Sequence, residues 1–208
     1  MHQQDPNYFQ TVEQPAVAEF SDRGSRFIAY VQPVQSVDDF KAALNEVKKL
    51  HPKASHHCFA YRLGNSGTIF RVTDAGEPSG TAGRPILGQI DSKGLTNVLV
   101  VVVRYFGGTL LGVPGLINAY KSAAALALQL TPMVRKPVEI QYEIEFDYTV
   151  TNEVMKSIRK FSCQLLDQQM QLFCHYTVGV PRIHEQEWLR MAGEVRGIVI
   201  KKKSGPEN

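Results

Sequence analysis

Hydrophobic and polar positions change period several times along this chain, and the strongest signal is a stretch with no period at all. Val98 to Val103 are six consecutive apolar residues, five of them valine. A short β-branched run without alternation predicts a strand buried on both faces, hence the middle of a sheet covered by helices. Arg104-Tyr105-Phe106-Gly107-Gly108 ends the run, and the glycines at 107, 108, 112 and 115 permit backbone angles and close approaches that a Cβ would block. Pro114 suits the first turn of the helix that follows. Leu116, Ile117, Tyr120, Ala123, Ala124, Ala127 and Leu128 mark its apolar positions, up to a stop near Thr131-Pro132. A core strand thus delivers an arginine, two aromatics and a glycine loop to a helix N-terminus.

Around this centre the other periods predict further elements. Residues 1–20 read as a short lead-in with one edge strand. Ser25 to Val31 alternates as a half-buried strand, with Phe27, Ala29 and Val31 on one face. Ser36-Val37-Asp38-Asp39 is a helix start of capping-box type with Asp in place of Glu. Phe40, Ala43, Leu44, Val47 and Leu50 follow at helical spacing until Pro52. Cys58–Leu63 and Thr68–Thr73 predict a hairpin turned by Gly64-Asn65-Ser66-Gly67. Thr81 is placed to cap a short helix through Leu87. Thr131 to Pro137, with prolines near both ends and Arg135-Lys136 between them, reads as a linker.

Beyond it, Val138 to Phe146 alternates with Ile140, Tyr142, Ile144 and Phe146 on one face. A helix is predicted over Thr149–Phe161, strands over Gln164–Met170 and Gln171–Val180, a helix over Ile183–Ala192 and a last strand over Gly197–Lys201. That order, β-α-β-β-α-β, is the split-βαβ, ferredoxin-like motif. The chain is therefore predicted to be an α+β protein of two domains, 1–134 and 135–208, without internal repeats.

Composition changes this picture little. The net charge of +3 is uneven: residues 1–136 hold 14 Lys/Arg against 10 Asp/Glu, whereas residues 137–208 hold 9 against 10. A mildly basic first half permits contact with nucleic acid without demanding it. Cys58, Cys163 and Cys174 form neither a CxxC pair nor an even disulfide framework, which suits a reduced, cytoplasmic protein. Met1 to Phe20 has no apolar core of a signal peptide, and no apolar run is long enough to span a bilayer.

Four clusters could carry chemistry. Arg104 to Gly108 with Gly112, Pro114 and Gly115 offers backbone N–H groups at a helix start beside an arginine, the makings of an anion site. Its spacing matches neither G-x-G-x-x-G nor G-x-x-x-x-G-K-[ST]. Alternatively it is a tight turn with core aromatics and an arginine paired to a nearby acid. Asp74 to Gly83 holds two acids three residues apart, Asp74 and Glu77. They could act as acid and base, brace the loop, or pair with Arg104 and so merge the two clusters. Metal binding wants more oxygen ligands than these two supply. In Ser55-His56-His57-Cys58, His57 and Cys58 point to opposite faces and cannot pair as base and nucleophile, so a satisfied His56 and a core Cys58 are expected. Lys201-Lys202-Lys203 is a solvated tail or a phosphate-backbone contact.

These residues carry a resemblance. Arg104-Tyr105-Phe106-Gly107-Gly108 with Leu111-Gly112, together with Asp74-x-Gly76-Glu77-Pro78-x-Gly80-Thr81-Ala82-Gly83-x-Pro85, resembles the signature of the IMPACT family. Ser25-x-Phe27-Ile28 and His56-x-Cys58-x-Ala60-Tyr61 stand where that family's other characteristic runs fall. The layout is similar to its bacterial, two-domain YigZ-type branch. One departure is Pro114-Gly115, where that branch usually has a Gly-Gly pair.

The resemblance implies a first domain similar to domain 2 of ribosomal protein S5 and a ferredoxin-like second domain similar to the last domain of elongation factor G. It implies a non-enzymatic, translation-associated regulator with no cofactor, since eukaryotic relatives regulate translation by binding the activator of a stress kinase. RNA, the ribosome or a translation-related protein are the candidate partners, and no membrane. The candidate patch comprises Arg26, His56, Asp74, Glu77, Ser79, Thr81, Arg104, Tyr105, Phe106, Gly107, Gly108 and Gly112, with Arg104 on phosphate and an exposed aromatic stacked on a base. The competing readings are an enzyme or binding protein for a small phosphorylated or acidic ligand at the same loops, and a protein-binding adaptor.

Overall fold

The structure, a computed structural model, describes residues 5–203. The chain divides into two units, residues 9–136 and residues 137–203 with 5–8.

In the first unit β1 (Tyr8–Val12), β2 (Ala16–Asp22), β3 (Ser25–Pro33), α1 (Val37–Leu50), β4 (His56–Leu63), β5 (Ile69–Thr73), α2 (Gly83–Ser92), β6 (Val98–Tyr105), α3 (Gly112–Leu130) and β7 (Met133–Pro137) follow in order. Five strands form one antiparallel sheet in the order β2-β3-β6-β4-β5. The valine run is its middle strand, and Val98 to Val103 are all fully buried. Period two then divides its side chains between two cores. Val98, Val100 and Val102 pack with α2 and α3 against Phe27, Ala29 and Val31, while Leu99, Val101 and Val103 pack with Phe40, Leu44 and Val47 of α1.

β3, expected to be half-buried, is covered on both faces, because Ile28 joins the α1 core while Phe27 and Ala29 join the other. The capping box forms as predicted: Ser36 Oγ accepts the Asp39 N–H at 3.1 Å and the Asp39 carboxylate accepts the Ser36 N–H at 3.0 Å. Leu50 and Ile117, read as core positions, lie at the surface. Helical spacing alone does not say how far around its circumference a helix is covered.

The lead-in holds two strands, β1 and the sheet edge β2. Residues 133–137 are not an open linker but β7, paired with β1. Five residues flanked by prolines carry no visible pattern, and the partner stands over 120 positions away in sequence.

The second unit contains β8 (Glu139–Asp147), α4 (Thr151–Lys160), β9 (Gln164–Met170), β10 (Phe173–Pro181), α5 (Glu185–Gly193) and β11 (Val199–Lys202), an order of β-α-β-β-α-β. The two helices start later than predicted because short 3-10 turns, Tyr148–Val150 and Arg182–His184, precede them. The antiparallel sheet runs β11-β8-β10-β9. Tyr142, Ile144 and Phe146 of β8 pack into one core with Val154, Ile158, Tyr176 and the fully buried Trp188, on the face the alternation predicts. The register puts Glu145 beside His175 and Glu143 beside Thr177 and Lys201 on the opposite face. Polar residues there explain the alternation.

Candidate functional site

The predicted patch is split by the sheet. Successive residues of β6 point to opposite faces, so Arg104 enters the α2/α3 side, Tyr105 the α1 side, and Phe106 leaves the strand for solvent.

On the α2/α3 side Arg104 is 5% exposed. Its Nη1 donates to Glu77 Oε1 at 2.7 Å, and the Tyr120 hydroxyl from α3 donates to the same oxygen at 2.7 Å. Arg104 Nη2 lies 3.4 Å from Ser25 Oγ, which also accepts the Gly107 N–H at 3.2 Å. The rings of Phe27 and Phe106 each lie 5.5 Å from the guanidinium carbon, whose buried Nε has no hydrogen-bond partner. The two clusters therefore merge through Glu77, and the guanidinium is engaged from inside. It is not presented to a phosphate.

Cys58 and His56 share this face, as β4 period two requires. His56 Nδ1 donates to the Ala75 carbonyl at 2.9 Å, and its Nε2 lies 3.8 Å from Glu77 Oε1. The Cys58 S–H donates to the Asp74 carbonyl at 3.0 Å, and Sγ lies 3.3 Å from the Tyr120 hydroxyl. Burial pushes the Cys58 thiol up to about 12 and raises Tyr120 as well. Neither is a nucleophile near neutral pH. Both are polar members of a core.

Asp74 braces the loop that holds Glu77. Its Oδ2 accepts the Gly80 N–H at 2.8 Å, and Oδ1 accepts those of Ala82 and Gly83 at 3.0 and 2.9 Å. Thr81, expected to cap α2, instead donates its hydroxyl to the Pro78 carbonyl at 2.7 Å, and the cap comes from Asp74 eight residues before Ala82. A carboxylate from the chain itself thus sits at the start of α2, not at the start of α3 where the anion site was expected. Ala75 and Gly76 both adopt positive φ (46° and 92°), which lets Glu77 N–H return to the Asp74 carbonyl at 2.9 Å. Ser79 is exposed at the tip of the same loop.

Burial alone would raise the Asp74 carboxyl, but the N–H groups of Gly80, Gly83 and Ala82 outweigh it and hold the carboxyl below the usual range. A depressed folded-state pKa contributes stability above the unfolded pKa of about 3.9 and loses it as pH falls through the folded value. Asp74→Asn is accordingly expected to cost about 1–3 kcal/mol at neutral pH, the worth of charge-assisted bonds. The gap to wild type should narrow as pH falls from the unfolded value of about 3.9 through the lower folded one. Urea midpoints measured from pH 7 downward check both, and a gap that stays constant to low pH contradicts the assignment.

On the α1 side His51, the residue following α1, stands between two hydroxyls. Its Nε2 lies 2.5 Å from Tyr30 and its Nδ1 2.8 Å from Tyr105. Burial, with Arg26 nearby, lowers the His51 pKa, so the ring is neutral at pH 7. Arg26 is exposed and pairs with Glu19 through Nε and Nη2, both at 2.9 Å. Arg26 and Arg104, neighbours in the predicted patch, thus serve opposite faces. Sequence reasoning missed Ser25, Tyr120, His51 and Tyr30. Two signals were available: Ser25 opens the Ser25-x-Phe27-Ile28 run, and Tyr120 is a hydroxyl set among alanines and leucines on an apolar helix.

What reaches solvent is the loop itself. Phe106 to Leu110 and Gly112 to Pro114 are exposed, and Gly108 and Gly112 turn the chain at φ 87° and 69°. In the second unit, two of the three tail lysines are paired: Lys202 Nζ donates to Glu185 at 2.8 Å and Lys203 lies 3.4 Å from Glu143. Among the described residues no group of three or more His, Cys, Asp or Glu is placed to hold a metal ion. Among the described residues no helix is long and apolar enough to cross a membrane.

Comparison with known proteins bears on what such a loop is for. Residues 23–128, which contain both loops and their buried network, match the Impact N-terminal domain. The chain belongs to the IMPACT family. An IMPACT family member of Haemophilus influenzae is 35% identical over 158 residues, covering 75% of this chain and 77% of its own. IMPACT family member YigZ of Escherichia coli is 33% identical over 159 residues, 76% of this chain and 78% of its own. These place the chain in the bacterial, YigZ-type branch of the IMPACT family. A crystal structure of a hypothetical protein, 27% identical, aligns over 96% of this chain and 99% of its own with a TM-score of 0.73. The α+β architecture therefore extends to a relative across both units. The signature that carries the IMPACT resemblance is, in this chain, largely the Asp74–Glu77–Arg104 network, and its residues hold the fold of the loops.

Proposed function

We propose that this IMPACT-family chain is a non-enzymatic, translation-associated regulatory protein of the cytoplasm. It binds RNA, the ribosome or a ribosome-bound partner, with the Asp74–Gly83 loop as frame and the Arg104–Gly115 loop as contact. IMPACT-family proteins are linked to translation regulation. In this reading the first domain, 1–134, is similar to domain 2 of ribosomal protein S5. The second, 135–208, is ferredoxin-like and similar to the last domain of elongation factor G.

One observation carries the reading: an exposed loop rich in apolar residues stands on a stem whose charges are already neutralised. Leu110 is 82% exposed and Phe106 49%. Large apolar side chains held out on a rigid stem fit a contact surface. The same geometry weakens the enzyme reading, since the oxygens of Asp74 and one oxygen of Glu77 already accept internal hydrogen bonds.

The test is co-sedimentation with ribosomes at low salt. Leu110→Asp is expected to lower the bound fraction at least tenfold without moving Tm, because this side chain supports nothing in the fold. Binding that is absent in the wild type, or unchanged in the variant, rejects the assignment.

A further inference from the structure

The face of α3 that points away from the sheet does not look like an ordinary water-facing surface. Val113 is 52% exposed and Ile117, one turn on, is 38% exposed. Lys121 follows one turn later on the same side, also exposed. With Leu110 just before the helix, these residues form a stripe that is apolar for two turns and ends in a cation. Solvated helix faces ordinarily carry charges of both signs. Here the first turn of α3 holds no acidic residue, and between Asp91 and Glu139 the chain has no Asp or Glu at all. That stretch holds five cations, Lys93, Arg104, Lys121, Arg135 and Lys136. Arg104 is buried against Glu77, and Lys121 is exposed.

We infer that the Leu110–Lys121 stripe docks an acidic, amphipathic helix of a partner protein. The inference rests on the proposed contact role of the Arg104–Gly115 loop and adds the chemistry of what is bound. Apolar residues spaced i, i+3, i+4 along the partner cover Leu110, Val113 and Ile117. Its carboxylates face Lys121, on a helix that carries no Asp or Glu of its own, where a basic segment would gain no partner. A bare nucleic acid would gain little here, because the stripe offers one lysine and no planar ring for a base.

The experiment places a photo-crosslinking benzoylphenylalanine at Ile117 or at Phe106 of the full chain in cells, and sequences the crosslinked segment. The expected product at Ile117 is a protein segment with net negative charge and apolar residues at helical spacing. RNA, a basic segment or a second copy of this chain at Ile117 overturns the inference. If position 106 captures a translation component while position 117 captures nothing, the inference fails and the contact loop stands. If neither position captures anything, both fail.

Charge reversal supplies the second readout, taken as crosslinking from position 106. Ile117→Glu is expected to lower the yield at least tenfold, and Ile117→Lys far less. Lys121→Glu should weaken it and Lys121→Arg leave it unchanged. Thermal melting confirms folding, since neither side chain is buried, and equal losses for Ile117→Glu and Ile117→Lys would sink the charge argument.

Discussion

Gly107→Ala is expected to destabilise the first unit by about 3 kcal/mol or more, beyond the usual range for one added methyl group. A Cβ at position 107 would lie 1.9 Å from the Gly24 carbonyl carbon and 2.3 Å from the Ser25 nitrogen. Backbone cannot rotate out of the way as a side chain can, so the β2–β3 turn or the loop after β6 must move. Movement of either also breaks the Gly107 N–H bond to Ser25 and uncovers Arg104. Gly108 is the control. Its φ is 87° with nothing within 4 Å of an added Cβ, so Gly108→Ala meets only left-handed strain of about 1–2 kcal/mol. Urea unfolding of both variants decides: equal costs would mean that the approach to Gly24 is not what requires glycine at 107.

Glu77→Ala is the second large effect. It removes the partner of a guanidinium that is almost wholly buried, and leaves Tyr120 without its acceptor. Breaking a buried pair from one side costs about 3–5 kcal/mol, because the remaining charge stays desolvated. The double variant Glu77→Leu/Arg104→Met removes both charges and should recover most of that loss. A double-mutant cycle from urea midpoints gives the coupling. Additive losses with no recovery would show that these side chains act independently and that the network is incidental.

These expectations could be only partly formed from residue patterns. The middle strand, the hairpin, the capping box and the inward face of β8 all follow from local periods of two or 3.6, which depend on neighbours within one element. The placement of Leu50 and Ile117 did not follow, because exposure depends on how wide a strip of each helix the sheet covers. β7 stayed hidden because its partner β1 lies at the far end of the unit. The merging of Asp74–Gly83 with Arg104 was legible as opposite charges on two adjoining loops, but its consequence was not. Whether an arginine faces out to a phosphate or in to a glutamate turns on one position of strand parity and on Tyr120. That residue comes from a helix whose rotation no pattern in the loops reveals. The Gly24–Gly107 approach is likewise a meeting of two backbones, and neither glycine announces the other.

The alternation at Arg104, Tyr105 and Phe106 has one more consequence. The first two residues are rooted in separate cores, and the third begins a tip that supports little of either. In the proposed contact role, changes at Leu110 or Val113 would alter what is bound while the folding determinants below stay the same. Under that proposal, such a division would let one scaffold change partners by drift at a few tip positions. It also makes this tip the natural place to graft a new specificity by design.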